Sequence, residues 1–204
     1  MDAALTDNCF DAALPPAIVE QFIASAGSDD PLAITIRQGG RLVLIPKQRT
    51  PDEALSTIKD YVGRAVVRVG VTQLPAGIGI ADASDLQPDI FDRCENLRTG
   101  TALFAKVARI VTKWYGSPTN NQLLPQMLDD AIYAWKTGDF EGQNVFKAED
   151  PGGPTFFGKG SGEHQQAVPA SEPEPHEEEN TAAEPMNASD AGIRIDLSRI
   201  GGQK

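Results

Sequence analysis

LAITIRQGGRLVLIPKQRTPDEALSTIKDYVGRAVVRVGVTQ, residues 32–73, carries the signals that separate the fold classes open to this chain. Residues 32–37 and 41–46 are short β-branched or aliphatic runs around Gln38-Gly39-Gly40. Two such runs joined through glycines read as a hairpin, because glycine takes the positive φ of the turn at little steric cost. Thr50-Pro51-Asp52-Glu53 has the form of a capping box. Thr50 is the N-cap, Pro51 fills a position that needs no donor, and Glu53 stands at N3. A helix from Pro51 to about residue 62 follows. Residues 65–73, AVVRVGVTQ, are apolar at nearly every other place and read as a third strand. A strand–helix–strand crossover of this length sets the runs 41–46 and 65–73 parallel, or one strand apart. The segment predicts a small mixed sheet, a hairpin plus a third strand, with a helix packed on it.

The flanks are helical. Upstream, residues 16–26 place Ile18, Phe22 and Ile23 on one helical face, and Gly27 is a natural stop. Downstream, residues 88–115 read as two helices or as one kinked at Thr99-Gly100. Residues 121–137 read as a further helix with Gly138 to cap it, and Asp129-Asp130 as acids near its start, favoured by the positive end of the helix dipole. Residues 75–82 (PAGIGIAD) lack the third glycine of a dinucleotide loop and the Lys-Ser/Thr pair of a P-loop, so they read as a turn or a short strand. The fold class is α+β with a helical C-terminal half.

Composition shifts at residues 150–154, DPGGP. Beyond it, Pro, Glu, Ser, Gly and Gln dominate, and few large apolar side chains remain to offset the entropy of ordering the backbone. The expected organisation is a folded domain at 1–150, a disordered acidic linker at 151–192 and a short terminal peptide at 193–204. The 204 residues carry a formal net charge of −11, which argues against nucleic-acid binding through overall charge but leaves room for a local basic stripe. Cys9 and Cys94 are the two cysteines; a single pair in a chain of this size reads as buried free thiols. The acidic first residues, MDAALTDNCFDAALPP, do not form a secretory signal, and no apolar run is long enough to cross a membrane. Cytoplasmic location without membrane insertion is expected.

Chemistry-bearing residues are sparse. His164 and His176 both lie after residue 154, so the folded part has no histidine for a general base or a metal, and no cofactor is expected. The informative stretch is 98–114. At about 100° per residue, Leu103, Phe104, Val107, Ile110, Val111 and Trp114 share one face, and Arg98, Lys106, Arg109 and Lys113 the other. The cations read either as a docking stripe for phosphates or an acidic partner, or as a solubilising face that complements the helix dipole. Trp114, Tyr115, Tyr133 and Trp135 read as core or a helix–helix seam; left exposed, they would mark an interaction surface.

The runs DPLAITIRQGGRLVLIPKQRTPDEAL, VVRVGVTQLPAGIGI, CENLRTGTALFAKVARIVTKWYG and DDAIYAWKTGDFEGQNVF, within roughly residues 1–154, resemble the TraH proteins of plasmid conjugal transfer in rhizobia and agrobacteria. The chain does not resemble the like-named secreted protein of F-type pilus assembly. The resemblance implies an accessory of conjugative transfer and brings no catalytic motif that can be carried over. The expectation is a non-catalytic protein that binds a protein partner of the conjugation machinery. A DNA-contacting accessory acting through the Arg98–Lys113 face is the alternative.

The last residues, GIRIDLSRIGGQK, set Ile193, Ile195, Leu197 and Ile200 in an otherwise polar segment. As a strand, Ile193, Ile195 and Leu197 would point one way, the pattern of a peptide that adds to a sheet edge in cis or in trans. Arg194, Arg199 and Lys204 also make the tip basic, as in C-terminal export signals of conjugation-type channels. A peptide without structure is the bland reading.

Overall fold

Thr50 caps its helix as its sequence requires. Its hydroxyl accepts from the Glu53 amide at 3.2 Å, and Pro51 takes the first turn. The Glu53 carboxylate accepts from the Arg49 amide, one residue earlier than a strict capping box. This is one element of a computed structural model that describes residues 9–80, 82–118 and 121–157. The chain divides into two units, Met1–Gln165 and Gln166–Lys204, and every described residue belongs to the first. The acidic linker beyond residue 157 and the terminal peptide with Ile193, Ile195, Leu197 and Ile200 lie outside the described residues.

In chain order the elements are α1 (Pro16–Ala26), β1 (Ile34–Gln38), β2 (Arg41–Val43), α2 (Pro51–Lys59), β3 (Val66–Val69) and β4 (Leu74–Pro75). Then come α3 (Arg93–Trp114), α4 (Leu124–Thr137), β5 (Asp139–Phe140) and β6 (Gln143–Asn144), with short 3-10 turns at Ala83–Asp85, Pro88–Phe91 and Asn121–Leu123. The α+β class stands. The hairpin forms where expected, with Gln38 opposite Arg41 and Gly39 and Gly40 at φ 57° and 79°.

The sheet differs from expectation in one respect. Its order is β2-β1-β3-β4 and every pairing is antiparallel, so it is not mixed. The crossover through α2 returns the chain to the far side of β1, so β2 and β3 lie one strand apart, each antiparallel to β1. The expected third strand also splits. Gly70 takes φ 72° and Gln73 φ 52°, turning the chain so that Leu74 pairs back with Val69. No Cβ fits at Gly70, because it would lie 2.3 Å from the Asn96 amide nitrogen.

Ile36, Val67 and Val69 form the sheet's buried face. Deeper in the core, Phe22 of α1, Phe104 of α3 and Trp135 of α4 come together. Phe22 stacks on Phe104 at 4.0 Å, and Trp135 meets their edges at 5.1 and 6.0 Å. Such pairs add to the area that each ring removes from water. The α3 helix is one helix, without a kink at Gly100. Gly100 is instead a contact point: a Cβ there would lie 2.2 Å from the Thr72 hydroxyl. Asn96 sits one turn earlier, accepting from the Thr72 amide and hydroxyl and donating to the carbonyls of Val69 and Ile90. This bonding joins the β3–β4 turn to α3.

Two further expectations are corrected. Asp129 and Asp130 fall in the middle of α4, beyond its first turn; Asp130 accepts from the Tyr115 hydroxyl at 2.7 Å rather than serving the dipole. Cys9 and Cys94 are joined in a disulfide and are not free thiols. The chain before α1 folds back on the start of α3, where Asp11 N–H donates to Thr101, and brings the two Cα atoms within 5.1 Å. Cysteine counting could not see that return. Packing continues past the shift in composition: Thr155, Phe156 and Phe157 are buried, and the Thr155 hydroxyl donates to the Ala13 carbonyl.

Candidate interaction surface

Of the five cations of α3, the four that share its outer face, Arg98, Lys106, Arg109 and Lys113, spread from its second turn to its last. Its N-terminus is fixed by Asp92, whose carboxylate accepts from the Glu95 amide, and its inner face is buried from Leu97 to Val111. The opposite face is therefore set by packing, and the cations fall on it. Most of them meet groups of the same chain. Arg98 pairs with Glu95, three residues back on the same helix. The Lys106 ammonium donates to the Phe146 carbonyl at 3.0 Å. Arg109 makes a two-pronged pair with Asp150, at 2.8 and 2.5 Å. The Arg109 guanidinium holds the Asp150 carboxyl down at about 2, helped by the Gly152 amide and opposed by partial burial. These contacts tie the segment after β6 onto α3.

Lys113 differs. It is exposed, and its ammonium has no hydrogen bond or ion pair to any described residue. It stands between two hollows at the C-terminal end of α3. One, of ≈320 Å³, is lined by Arg109, Thr112, Lys113, Pro154 and Phe156 among others; the second, of ≈330 Å³, by Lys113, Trp114, Phe140, Glu141 and Glu149. Trp114 borders the second with 56% of its surface in solvent, its ring edge-on to Tyr115 and Phe140. Tyr133 on α4 is exposed to 62%.

Of the four aromatics read as core or seam, Trp135 is buried, Tyr115 is half-buried, and Trp114 and Tyr133 are exposed. Periodicity puts Trp114 on the buried stripe, but the stripe outruns its cover at the last turn of the helix. Helical angle alone carries no signal for that. No group of three His, Cys, Asp or Glu side chains that could hold a metal occurs among the described residues. Within them, no helix is long and apolar enough to cross a membrane.

The family model TraH_2 matches residues 1–202. The chain belongs to the TraH_2 family. A relative from Sinorhizobium fredii (strain NBRC 101917 / NGR234), "Uncharacterized protein y4dP", is 50% identical over 205 residues and covers 99% of each chain. No solved structure matches. This TraH_2 protein is thereby tied to conjugation, as the resemblance implied. The match extends through the acidic stretch into the terminal peptide, so both belong to the span the family model recognises.

Proposed function

We propose that this TraH_2 protein is a non-catalytic accessory of conjugative plasmid transfer that works by binding another protein of the transfer machinery. The observation that carries this reading is the exposed Trp114 beside unpaired Lys113, at the rim of two hollows. An aromatic ring left in solvent costs hydration free energy, and a partner that covers it gains that back. Tryptophan is also prominent among residues that dominate interface energetics. The terminal residues Ile193, Ile195, Leu197 and Ile200 are proposed as a second, peptide-like contact to the same machinery.

The DNA reading of the Arg98–Lys113 face is weaker. Arg98, Lys106 and Arg109 already meet Glu95, the Phe146 carbonyl and Asp150, so phosphate contact there would have to displace those groups.

A cytoplasmic location is part of this proposal, and Cys9–Cys94 weighs against it. Disulfides persist in oxidising compartments and are rare in the cytosol. Trapping thiols with maleimide at the moment of lysis, followed by intact mass, decides it. Two labels leave the cytoplasmic placement standing, and none moves the protein to an oxidising compartment.

Transfer frequency from donor cells is the functional test. Trp114→Ser with Lys113→Glu, both at exposed positions, is expected to lower transfer at least about tenfold with protein levels unchanged, the scale of a hot-spot loss of about 1.4 kcal/mol. Unchanged transfer would remove that surface from the proposal. Ile195→Ser with Leu197→Ser examines the terminal peptide in the same assay, and full transfer would return it to a segment without a binding role.

A further inference from the structure

On the sheet face opposite Ile36 and Val67, β1 and β3 present Thr35 opposite Arg68 and Arg37 opposite Val66. Arg37 and Arg68 are thus diagonal neighbours on adjacent strands, within reach of each other's long side chains and of like charge. A groove of ≈600 Å³ opens beside them, edged by the Gly39-Gly40 turn, by Arg64 before β3 and by Lys136 at the end of α4. Its lining holds four cations and no carboxylate. In a chain of net charge −11 this is a local reversal of sign.

The floor is rigid. Arg68 is about nine-tenths buried, and its guanidinium donates to the carbonyls of Gln73, Trp135 and Lys136 while lying near the faces of Trp135 and Phe146. Burial, followed by repulsion from Arg37, pulls its pKa down to about 10, so it stays charged at neutral pH. Its bonds to the end of α4 account for Arg68 as a helix cap. They do not account for the others. Arg64 donates to the Asp60 carbonyl and Lys136 to the Ser25 carbonyl, neither of which carries a formal charge. Arg37 is exposed, and its guanidinium has no hydrogen bond or ion pair to any described residue. Buried or crowded charge without a counter-charge is a local conflict of the kind that folds retain at binding sites.

We propose that this groove binds phosphate groups, with Arg37, Arg64 and Lys136 as the contacting cations and Arg68 as fixed charge beneath them. Phosphate fits better than a lone carboxylate because it brings more charge and more acceptor oxygens to convergent guanidinium forks. The hairpin glycines also leave open space where side chains would stand, and so let a ligand approach the backbone. The site is separate from the Trp114 surface, so either can fail without the other.

Fluorescence anisotropy tests the groove, with a labelled oligothymidine of about a dozen nucleotides in about 20 mM salt. Competitors are dATP and a glutamate peptide of equal length. Wild-type protein is expected to bind, and Arg37→Gln with Arg64→Gln to weaken binding at least about tenfold, while Arg49→Gln, at an exposed cation outside the groove lining, leaves it unchanged. With three phosphates neutralised, the slope of log K against log salt is expected near −2, falling toward −1 in the double variant. Arg37→Gln alone repeats the test with no side-chain contact at risk, and a thermal melt of each variant confirms folding. Displacement by dATP assigns the site to nucleotides, and retention of the oligonucleotide assigns it to a strand; both sustain the phosphate site. No binding of either ligand, binding indifferent to the arginines, or equal displacement by the glutamate peptide would each overturn it.

Discussion

Tyr115 and Asp150 show how single side chains fasten the ends of α3. The Tyr115 hydroxyl donates to Asp130 on α4, and that bond, with some desolvation and the nearby negative charge, pushes its pKa up to about 12. Because the folded value lies above the unfolded one of about 10, the contribution is fully present below pH 10 and is lost as pH rises toward 12. An absorbance titration of phenolate should show one tyrosine ionising well after the others, and Asp130→Asn should bring it back toward 10. A titration unaltered by that substitution would contradict the bond. Asp150 runs the opposite way. Its folded pKa is depressed to about 2, so its contribution is present above about 4 and fades as pH falls toward 2. Its side chain is 40% exposed, and screening by water keeps the pair with Arg109 below about 1 kcal/mol. Asp150→Asn should therefore lower the melting temperature by a few degrees at pH 7, with the gap closing between pH 4 and pH 2. A gap that does not narrow with acid would show that the charge on Asp150 is not what matters.

Elements were legible in the sequence wherever their determinants are local. The Gly39-Gly40 turn, the Thr50 cap and the Gly138 stop each depend on a few neighbouring residues, and each occurs where its chemistry asks for it. The misreadings share a different cause. The run 65–73 looks like one strand until Asn96, more than twenty residues on, occupies the space beside Gly70. Thr99-Gly100 looks like a kink because glycine is a poor helix former, whereas the glycine is there so that α3 can close on Thr72. The α3 cations look free because their partners, the Phe146 carbonyl and Asp150, lie 40 and 41 residues away. The groove arginines were missed for the same reason, since only strand register puts Arg37 and Arg68 side by side. Gly100→Ala tests the contact reading directly. Alanine is the better helix former, so an open site would gain up to about 1 kcal/mol, whereas a site filled by Thr72 should lose about 1–3 kcal/mol. Denaturant midpoints give the sign, and stabilisation would rule the contact out.

At the scale of the molecule the two ends of the described chain meet. Cys9 is bonded to Cys94 at the start of α3, Leu14 is buried, and Thr155 closes on Ala13. The segment before α1 is therefore a layer of the core rather than a free end, and residues 155–157 complete it. Its attachment combines one covalent link with hydrophobic burial and hydrogen bonds, among them one from the Asp11 amide to Thr101 and one from Thr155 to Ala13. The cysteines are 85 residues apart, so the bond removes a large loop from the unfolded ensemble, worth about 4 kcal/mol in the chain-entropy account. Strain and residual structure usually bring the measured value to about 2–4 kcal/mol. A domain near 150 residues loses about 2–4 °C of melting temperature per kcal/mol, so reduction should lower the transition by roughly 10 °C. Cys9→Ser should melt near the reduced wild type and be indifferent to reductant. It should also expose the 9–14 segment to proteolysis first, because its covalent tie to α3 is then gone. A wild-type melt unmoved by reductant, or a Cys9→Ser variant as stable as the oxidised protein, would mean that the layer is held by packing and that the disulfide adds nothing to the fold.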